Sequence, residues 1–334
     1  MSKIFILGAG SFGVSLAVLF SKEHNVTLYG RNSEKISEMN KTHICQLLPK
    51  IKIPENINLV SDIDSISEND IVLLACPSHS MRDVCRQIKD RINPSAIVVS
   101  VAKGFEEETL KRMSQVISEE LHNKYVILSG PTHAEELAAD IPTAIVAASY
   151  EREIAEHIQD TLSSSTFRIY VSDDVIGVEL GGALKNVIAL SAGAIEGRKL
   201  GDNTKAALMT RGITEIARLG IKCGAKSETF AGLSGIGDLI VTCTSNHSRN
   251  KRAGVLIGQG VSAKEAIKQI GMTVEGYKNS KSAYELSQKY NVEMPIITQV
   301  YKILYENKSM DKAIEDLMDR PKRHESEVVW LLNK

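Results

Sequence analysis

The chain has 334 residues, enough for two domains and a sizeable core. It is 43% hydrophobic and 24% charged with a formal net charge of −1, an ordinary globular composition that argues against a nucleic-acid partner held by bulk electrostatics. Five cysteines without a C-x-x-C, no histidine–cysteine zinc spacing, and no apolar run near the roughly 18 residues of a membrane span predict a metal-free, cytoplasmic protein with no membrane insertion.

Lys3–Leu7 predicts a strand and Ser11–Lys22 a helix. Between them stands Gly8-Ala9-Gly10-Ser11-Phe12-Gly13. A G-x-G-x-x-G between strand and helix at the start of a βαβ unit predicts a dinucleotide site, with phosphates at the helix N-terminus. Asn25–Tyr29 predicts the second strand. It ends at Tyr29-Gly30-Arg31-Asn32, with no acid for the ribose hydroxyls. Arg31 either meets a 2′-phosphate or is a solvated loop residue, so NADP(H) and NAD(H) both stay open.

Ile71–Ala75, Ala96–Val101 and Tyr125–Leu128 predict further strands, with helices over Met81–Arg91 and Glu106–Leu121. Thr143–Ala148 and Phe167–Val171 predict strands at the far edge of the sheet. The alternation implies a mostly parallel sheet. Its strand ends carry Ala75-Cys76-Pro77-Ser78, Ala102-Lys103-Gly104 and Ser129-Gly130-Pro131-Thr132-His133-Ala134. In such sheets the carboxyl ends line the ligand crevice. His133 suits a wall residue better than an acid or base.

After Ser172 the texture becomes helical, with patterns over Val175–Ile195, Lys205–Leu219, Lys251–Ile257, Ala263–Ile270, Val274–Lys289, Ile296–Glu306 and Met310–Leu317. The expected division is a Rossmann-like α/β domain over 1–174 and an all-α domain over 175–334. Lys185 is the only charge between Leu180 and Ile195. Its helical neighbours on one face are Gly181, Gly182, Ile188 and Ala189, and the glycines there predict room for a cofactor or substrate against the backbone. A buried lysine tends to lose its proton and becomes a usable base near pH 7; the alternative is a lysine that snorkels past the glycines to water. Further on, Gly235-Ile236-Gly237 reads as a glycine-rich turn, and Gly237-Asp238-Leu239 sets a carboxylate against an apolar run. Ser245 to Arg252 is a polar, basic segment suited to a small phosphate or to plain solvation. The tail Arg320-Pro321-Lys322-Arg323-His324 reads as a solvated basic end.

Together with Gly181-Gly182-Ala183-Leu184-Lys185-Asn186, Ser248-Arg249-Asn250 and Val274-Glu275-Gly276-Tyr277, these blocks resemble the bacterial-type NAD(P)-dependent glycerol-3-phosphate dehydrogenases, from about Lys3 to Arg320. The resemblance implies an oxidoreductase that interconverts sn-glycerol 3-phosphate and dihydroxyacetone phosphate, supplying glycerol 3-phosphate for phospholipid synthesis. It implies that Ser11, Phe12, Arg31, Lys103, Ala134, Arg249, Thr273 and Glu275 contact the cofactor, alongside Gly8, Gly10 and Gly13. Lys103, Gly130, Thr132, Lys185, Asp238, Ser248, Arg249 and Asn250 would hold the substrate, with Lys185 as proton acceptor. Phe12, His133 and Thr273 depart mildly from the family pattern, and a homodimer stays open. A ketopantoate-type or β-hydroxyacid reductase is the rival within the same layout. A nucleotide-sensing regulator without turnover is the rival outside it.

Overall fold

The strands form where short runs of Ile, Val and Leu have no polar face to give to water. In β1 (Lys3–Leu7), Ile4 to Leu7 are at most 2% exposed, the two-sided burial of a parallel sheet covered by helices. The computed structural model describes residues 1–322, 324 and 325; the basic tail therefore falls partly outside the described residues, at Arg323. β1 is followed by α1 (Ser11–Phe20), β2 (Asn25–Tyr29), α2 (Ser33–Thr42), an antiparallel hairpin of β3 (Ile44–Cys45) and β4 (Leu48–Lys52), β5 (Asn58–Val60) and β6 (Ile71–Leu74). Then come α3 (Met81–Ile88), β7 (Ile97–Ser100), α4 (Met113–Glu120), β8 (Tyr125–Ser129), α5 (Ala134–Ala138), β9 (Thr143–Ala148), α6 (Arg152–Leu162) and β10 (Phe167–Ser172).

Among the described residues the main sheet runs β10-β9-β8-β7-β6-β1-β2-β5, parallel throughout except where β9 lies antiparallel to β8. The strand order reverses at β1, which is flanked by β2 and β6. That reversal opens a crevice at the carboxyl ends of the strands. β9 and β10 take the far edge, as their sequences predict. α2, α6, β5 and the hairpin carry no strong signal in the sequence. The predicted helix from Glu106 begins only at Met113. Residues 106–112 form a tight loop closed by a Phe105–Arg112 bridge, with Leu110 in the left-handed region at φ 58°.

Beyond β10 the described residues are helical: α7 (Val175–Gly197), α8 (Asp202–Lys222), α9 (Asp238–Thr244), α10 (Arg249–Gly258), α11 (Ala263–Ile270), α12 (Glu275–Lys289), α13 (Pro295–Tyr305) and α14 (Met310–Met318). α7 is apolar on every side, so it can be stable only as a core helix, and every residue from Gly177 to Ile195 is buried. It is also the one helix among the described residues long and apolar enough to cross a membrane. Asp174 caps its start, accepting from the Gly177 N–H at 2.9 Å. Glu179 ties it to the start of α4: its carboxylate accepts from Ser114 N at 2.7 Å and Ser114 Oγ at 2.6 Å, and pairs with Arg112.

α10 lies against α7 almost backbone to backbone. A Cβ on Gly254 would fall 1.9 Å from the Leu190 carbonyl oxygen, and one on Gly193 2.0 Å from that of Lys251. Backbone cannot yield to such an overlap as a flexible side chain could. Gly254→Ala is therefore expected to cost about 2 kcal/mol or more in chemical denaturation; a variant as stable as the parent would show that the two helices can separate freely.

Candidate active site

The first glycine loop uses its three glycines differently. Gly8 has φ 129°, which L side chains rarely adopt, and its N–H donates to the Tyr29 carbonyl at 3.0 Å. A Cβ on Gly13 would fall 1.9 Å from the Gly8 carbonyl oxygen, so Gly13 lets α1 sit on the strand end. Protein packing does not explain Gly10: a Cβ there would meet nothing within 4 Å. Gly10 is the cap residue of α1, with no side-chain cap, and the first helical bond runs from Val14 N to its carbonyl. The N–H groups of Ser11, Phe12 and Gly13 precede that ladder, and with the open space beside Gly10 they make a fit for a pyrophosphate. Phe12 packs half-buried against the sheet core, and Arg31 stands exposed just past β2. Ala134 opens α5, half-buried. Thr273 is exposed two residues before α12, and Glu275 is the first residue of that helix.

The charged centre is built from both halves of the chain. Lys185, 6% exposed, points Nζ at Asp238 Oδ1 and at Thr242 Oγ1, each at 2.6 Å. Lys103, delivered by the loop after β7, reaches the other oxygen of the same carboxylate, Oδ2, at 2.7 Å and the Gly130 carbonyl at 2.9 Å. Asp238 is 1% exposed. Burial alone would raise its pKa, but the two ammonium groups outweigh that and hold it below the ordinary carboxylate range. Lys185 moves the other way. Burial pushes its pKa down from 10.5 to about 8, the nearby charge of Lys103 adds to that, and Asp238 opposes it. The snorkelling alternative is thereby removed.

The glycines beside Lys185 do not leave room for a ligand, contrary to the expectation their size invites. Gly181 accommodates the Ser234 carbonyl, and Gly182 takes Ser129 Oγ and the stem of Lys103. They bring the two lysines within reach of one carboxylate.

Ser248, Arg249 and Asn250 open α10. Ser248 is its cap, accepting from Lys251 N at 3.2 Å. The N–H groups of Arg249 and Asn250 precede any helical acceptor, as an anion site requires. The Asn250 carboxamide is engaged inside the protein, donating to Asn186 Oδ1 at 2.9 Å and accepting from Gly276 N at 2.8 Å. Asn186 in turn donates to Glu275 at 3.1 Å. Lys251 belongs to the scaffold: it is buried and bonds the Thr244 carbonyl, Asn246 and Glu196. The basic run thus divides into the start of a helix, whose first N–H groups lie ahead of its ladder, and a structural lysine. Thr132 Oγ1 donates to the Gly130 carbonyl at 3.1 Å. Burial and the charge of Lys185 lower the pKa of His133, whose ring lies 5.7 Å from that of His247. It is therefore neutral at pH 7. Burial likewise pushes the Cys76 thiol up to about 12, which keeps it inert.

Sequence reasoning missed Thr242 and Asn186 as members of this centre. Thr242 lies four residues after Asp238, a helical spacing, but the glycines before Asp238 read as a turn. In fact a π-helical turn, Leu233–Gly237, leads straight into α9. Among the described residues no cluster of His, Cys, Asp and Glu could hold a metal ion.

Two family models cover the chain: the NAD-dependent glycerol-3-phosphate dehydrogenase N-terminus over residues 3–155 and the C-terminus of the same family over 174–315. A glycerol-3-phosphate dehydrogenase (NAD(P)+) of Clostridium perfringens (strain SM101 / Type A) is 51% identical over 329 residues, 97% of this chain and 99% of its own. The crystal structure of the glycerol-3-phosphate dehydrogenase of Coxiella burnetii superposes with a TM-score of 0.91 at 38% identity, covering 96% of this chain and 99% of that one. A ketopantoate reductase of Ralstonia eutropha JMP134 shares the fold alone, with a TM-score of 0.60 at 14% identity over 95% of this chain and 100% of its own.

The glycine loop makes a separable prediction. Gly10→Ala leaves the thermal melt within about 2 °C and weakens NAD(P)H by on the order of tenfold in a fluorescence titration. Gly13→Ala lowers the melt itself. If Gly10→Ala binds NAD(P)H as tightly as the parent, the open space before α1 is not the phosphate site.

Proposed function

The chain belongs to the NAD-dependent glycerol-3-phosphate dehydrogenase family, and on that premise we propose how its residues divide the work of moving a hydride between sn-glycerol 3-phosphate and dihydroxyacetone phosphate. The observation that carries the reading is the Asp238 carboxylate shared by two lysines at 2.6 and 2.7 Å. The reading divides the chain into a nucleotide-binding domain, 1–174, and a helical substrate domain, 175–334.

When bound, NAD(H) or NADP(H) supplies the hydride chemistry at C2 of the substrate. The chain's own groups handle the proton and the phosphate. In oxidation the neutral amine of Lys185 takes the proton of the C2 hydroxyl; in reduction its ammonium returns that proton to the carbonyl oxygen. Asp238 and Thr242 aim the amine. Lys103, beside the same oxygen, polarises the carbonyl. Arg249, Ser248 and the N–H groups at the start of α10 grip the phosphate, with Gly130 and Thr132 on the facing wall. Binding energy at the phosphate then positions the reacting carbon. The three glycines and Ser11, Phe12, Arg31, Ala134, Thr273 and Glu275 are assigned to the nucleotide. Arg31, exposed past β2, is the group for a 2′-phosphate. We assign the reaction to the cytoplasm, supplying phospholipid synthesis; the five unpaired cysteines agree with a reducing compartment.

Lys185→Ala is expected to lower kcat by on the order of 10² or more in a folded protein; near-normal turnover would remove the assignment. Because the base must be neutral for oxidation and charged for reduction, the oxidation rate climbs as pH rises through about 8 while the reduction rate falls. Profiles of kcat/KM in both directions test this, and parallel trends would contradict it. Arg31→Ser weakens NADPH by about tenfold and NADH by much less. Equal loss for both in the same titration would mean that Arg31 does not read the 2′-phosphate.

A further inference from the structure

The first turns of α12 touch both sides of the charged centre. The Asn279 carboxamide, 3% exposed, donates through Nδ2 to the Ala183 carbonyl at 2.9 Å and to the Lys103 carbonyl at 3.4 Å. Ala183 lies on α7 two residues before Lys185. Lys103 is the lysine from the other half. One buried side-chain amide thus bridges the backbones that carry both ammonium groups.

Its surroundings leave little slack. The loop after β7 passes between Ser78 and Asn279 so closely that a Cβ on Gly104 would fall 2.5 Å from Ser78 Oγ and 3.1 Å from Asn279 Oδ1. The next residue back on α12, Lys278, pairs with Glu107 of the same loop at 2.5 Å. α12 therefore holds this loop at two points. The Ala183 carbonyl sits inside α7, where the helical ladder already gives it a donor. The Asn279 bond to it serves the junction and is not needed by the helix.

We infer that Asn279 is a positioning residue for hydride transfer: by tying the loop of Lys103 to α7 it fixes the spacing of Lys103 and Lys185 on either side of Asp238. The inference rests on Lys185 being the proton acceptor. The groups that face Lys185 are Asp238, Thr242 and the buried Cys243 thiol from α9, Lys103 from the loop after β7, Glu275 from α12 and, farther off, His133 from the loop before α5. Among these Lys103 is the like charge, and its loop is the part that Asn279 ties to α7. Letting its backbone drift withdraws that charge and strengthens the hold of Lys185 on its proton.

The test is the pH profile of kcat/KM for glycerol 3-phosphate oxidation in the parent, Asn279→Ala, Asn279→Ser and Lys185→Ala, with thermal melts and NADPH titrations alongside. Asn279→Ala is expected to lower kcat by on the order of tenfold, to leave NADPH affinity within about twofold, and to move the rising limb to higher pH. Asn279→Ser, which keeps a donor, restores part of both. An unchanged kcat overturns the inference, and so does a lowered kcat with the limb in its parental place, because a merely structural weakening would give that result. If the alanine variant melts before assay, the serine variant is judged by its limb in the same way. If Lys185→Ala keeps the limb, the parent reading fails; if it abolishes the limb while Asn279→Ala leaves it unmoved, only the role of Asn279 fails.

Discussion

The arrangement turns on one buried carboxylate that holds two ammonium groups from different halves of the chain. Asp238, Lys103 and Lys185 are all largely withdrawn from water. A charge so placed is costly unless its partners are present. Asp238 keeps its charge only because both lysines reach it, and Lys185 remains a lysine in an apolar helix only because Asp238 and Thr242 receive it. Losing any member leaves the others buried and uncompensated. The parallel sheet delivers Lys103, the apolar helix α7 delivers Lys185, and the π-helical turn before α9 aims Asp238 between them. The brace of Glu179 on Ser114 and Arg112 and the close seat of α10 on α7 serve the same alignment.

Around this centre the fold offers two helix N-termini to anions. α1 starts at an uncapped glycine with open space before it. α10 starts at Ser248 with Arg249 as its first residue. In the proposed reaction, phosphates of the nucleotide and of the substrate are held at these two starts, and the lysines act where the two ligands meet. The division is economical in charge: the chain as a whole is near neutral, and its cationic groups are concentrated by geometry instead of by composition.

Much of this was legible in the sequence because it rests on local rules. The glycine loop announces itself by the strand before it and the helix after it. The lysine of α7 stands out because nothing else between Leu180 and Ile195 carries charge. What stayed hidden depends on long-range packing. Thr242 is a common residue in an unremarked run until α9 puts it one turn from Asp238. The glycines beside Lys185 looked like space for a ligand, yet they admit the protein's own Ser234 and Lys103 stem, which no local pattern reveals. The helix expected from Glu106 failed because the Phe105–Arg112 bridge closes a loop there, a tertiary choice that overrides helical propensity. Asn279 lies 94 residues beyond Lys185 and 176 beyond Lys103, and only the folded junction joins them.

Everything proposed for the chemistry requires that Asp238 help set the proton affinity of Lys185 inside a buried triad. The most direct test is the titration of the Lys185 amine itself, followed by the 15Nζ NMR signal of lysine-labelled protein in the parent and in Asp238→Asn. The amine is expected to titrate near pH 8 in the parent and at lower pH once the carboxylate is neutralised, because burial and Lys103 then act unopposed. An amine that titrates at the ordinary lysine value, or one indifferent to the loss of the Asp238 charge, would contradict it.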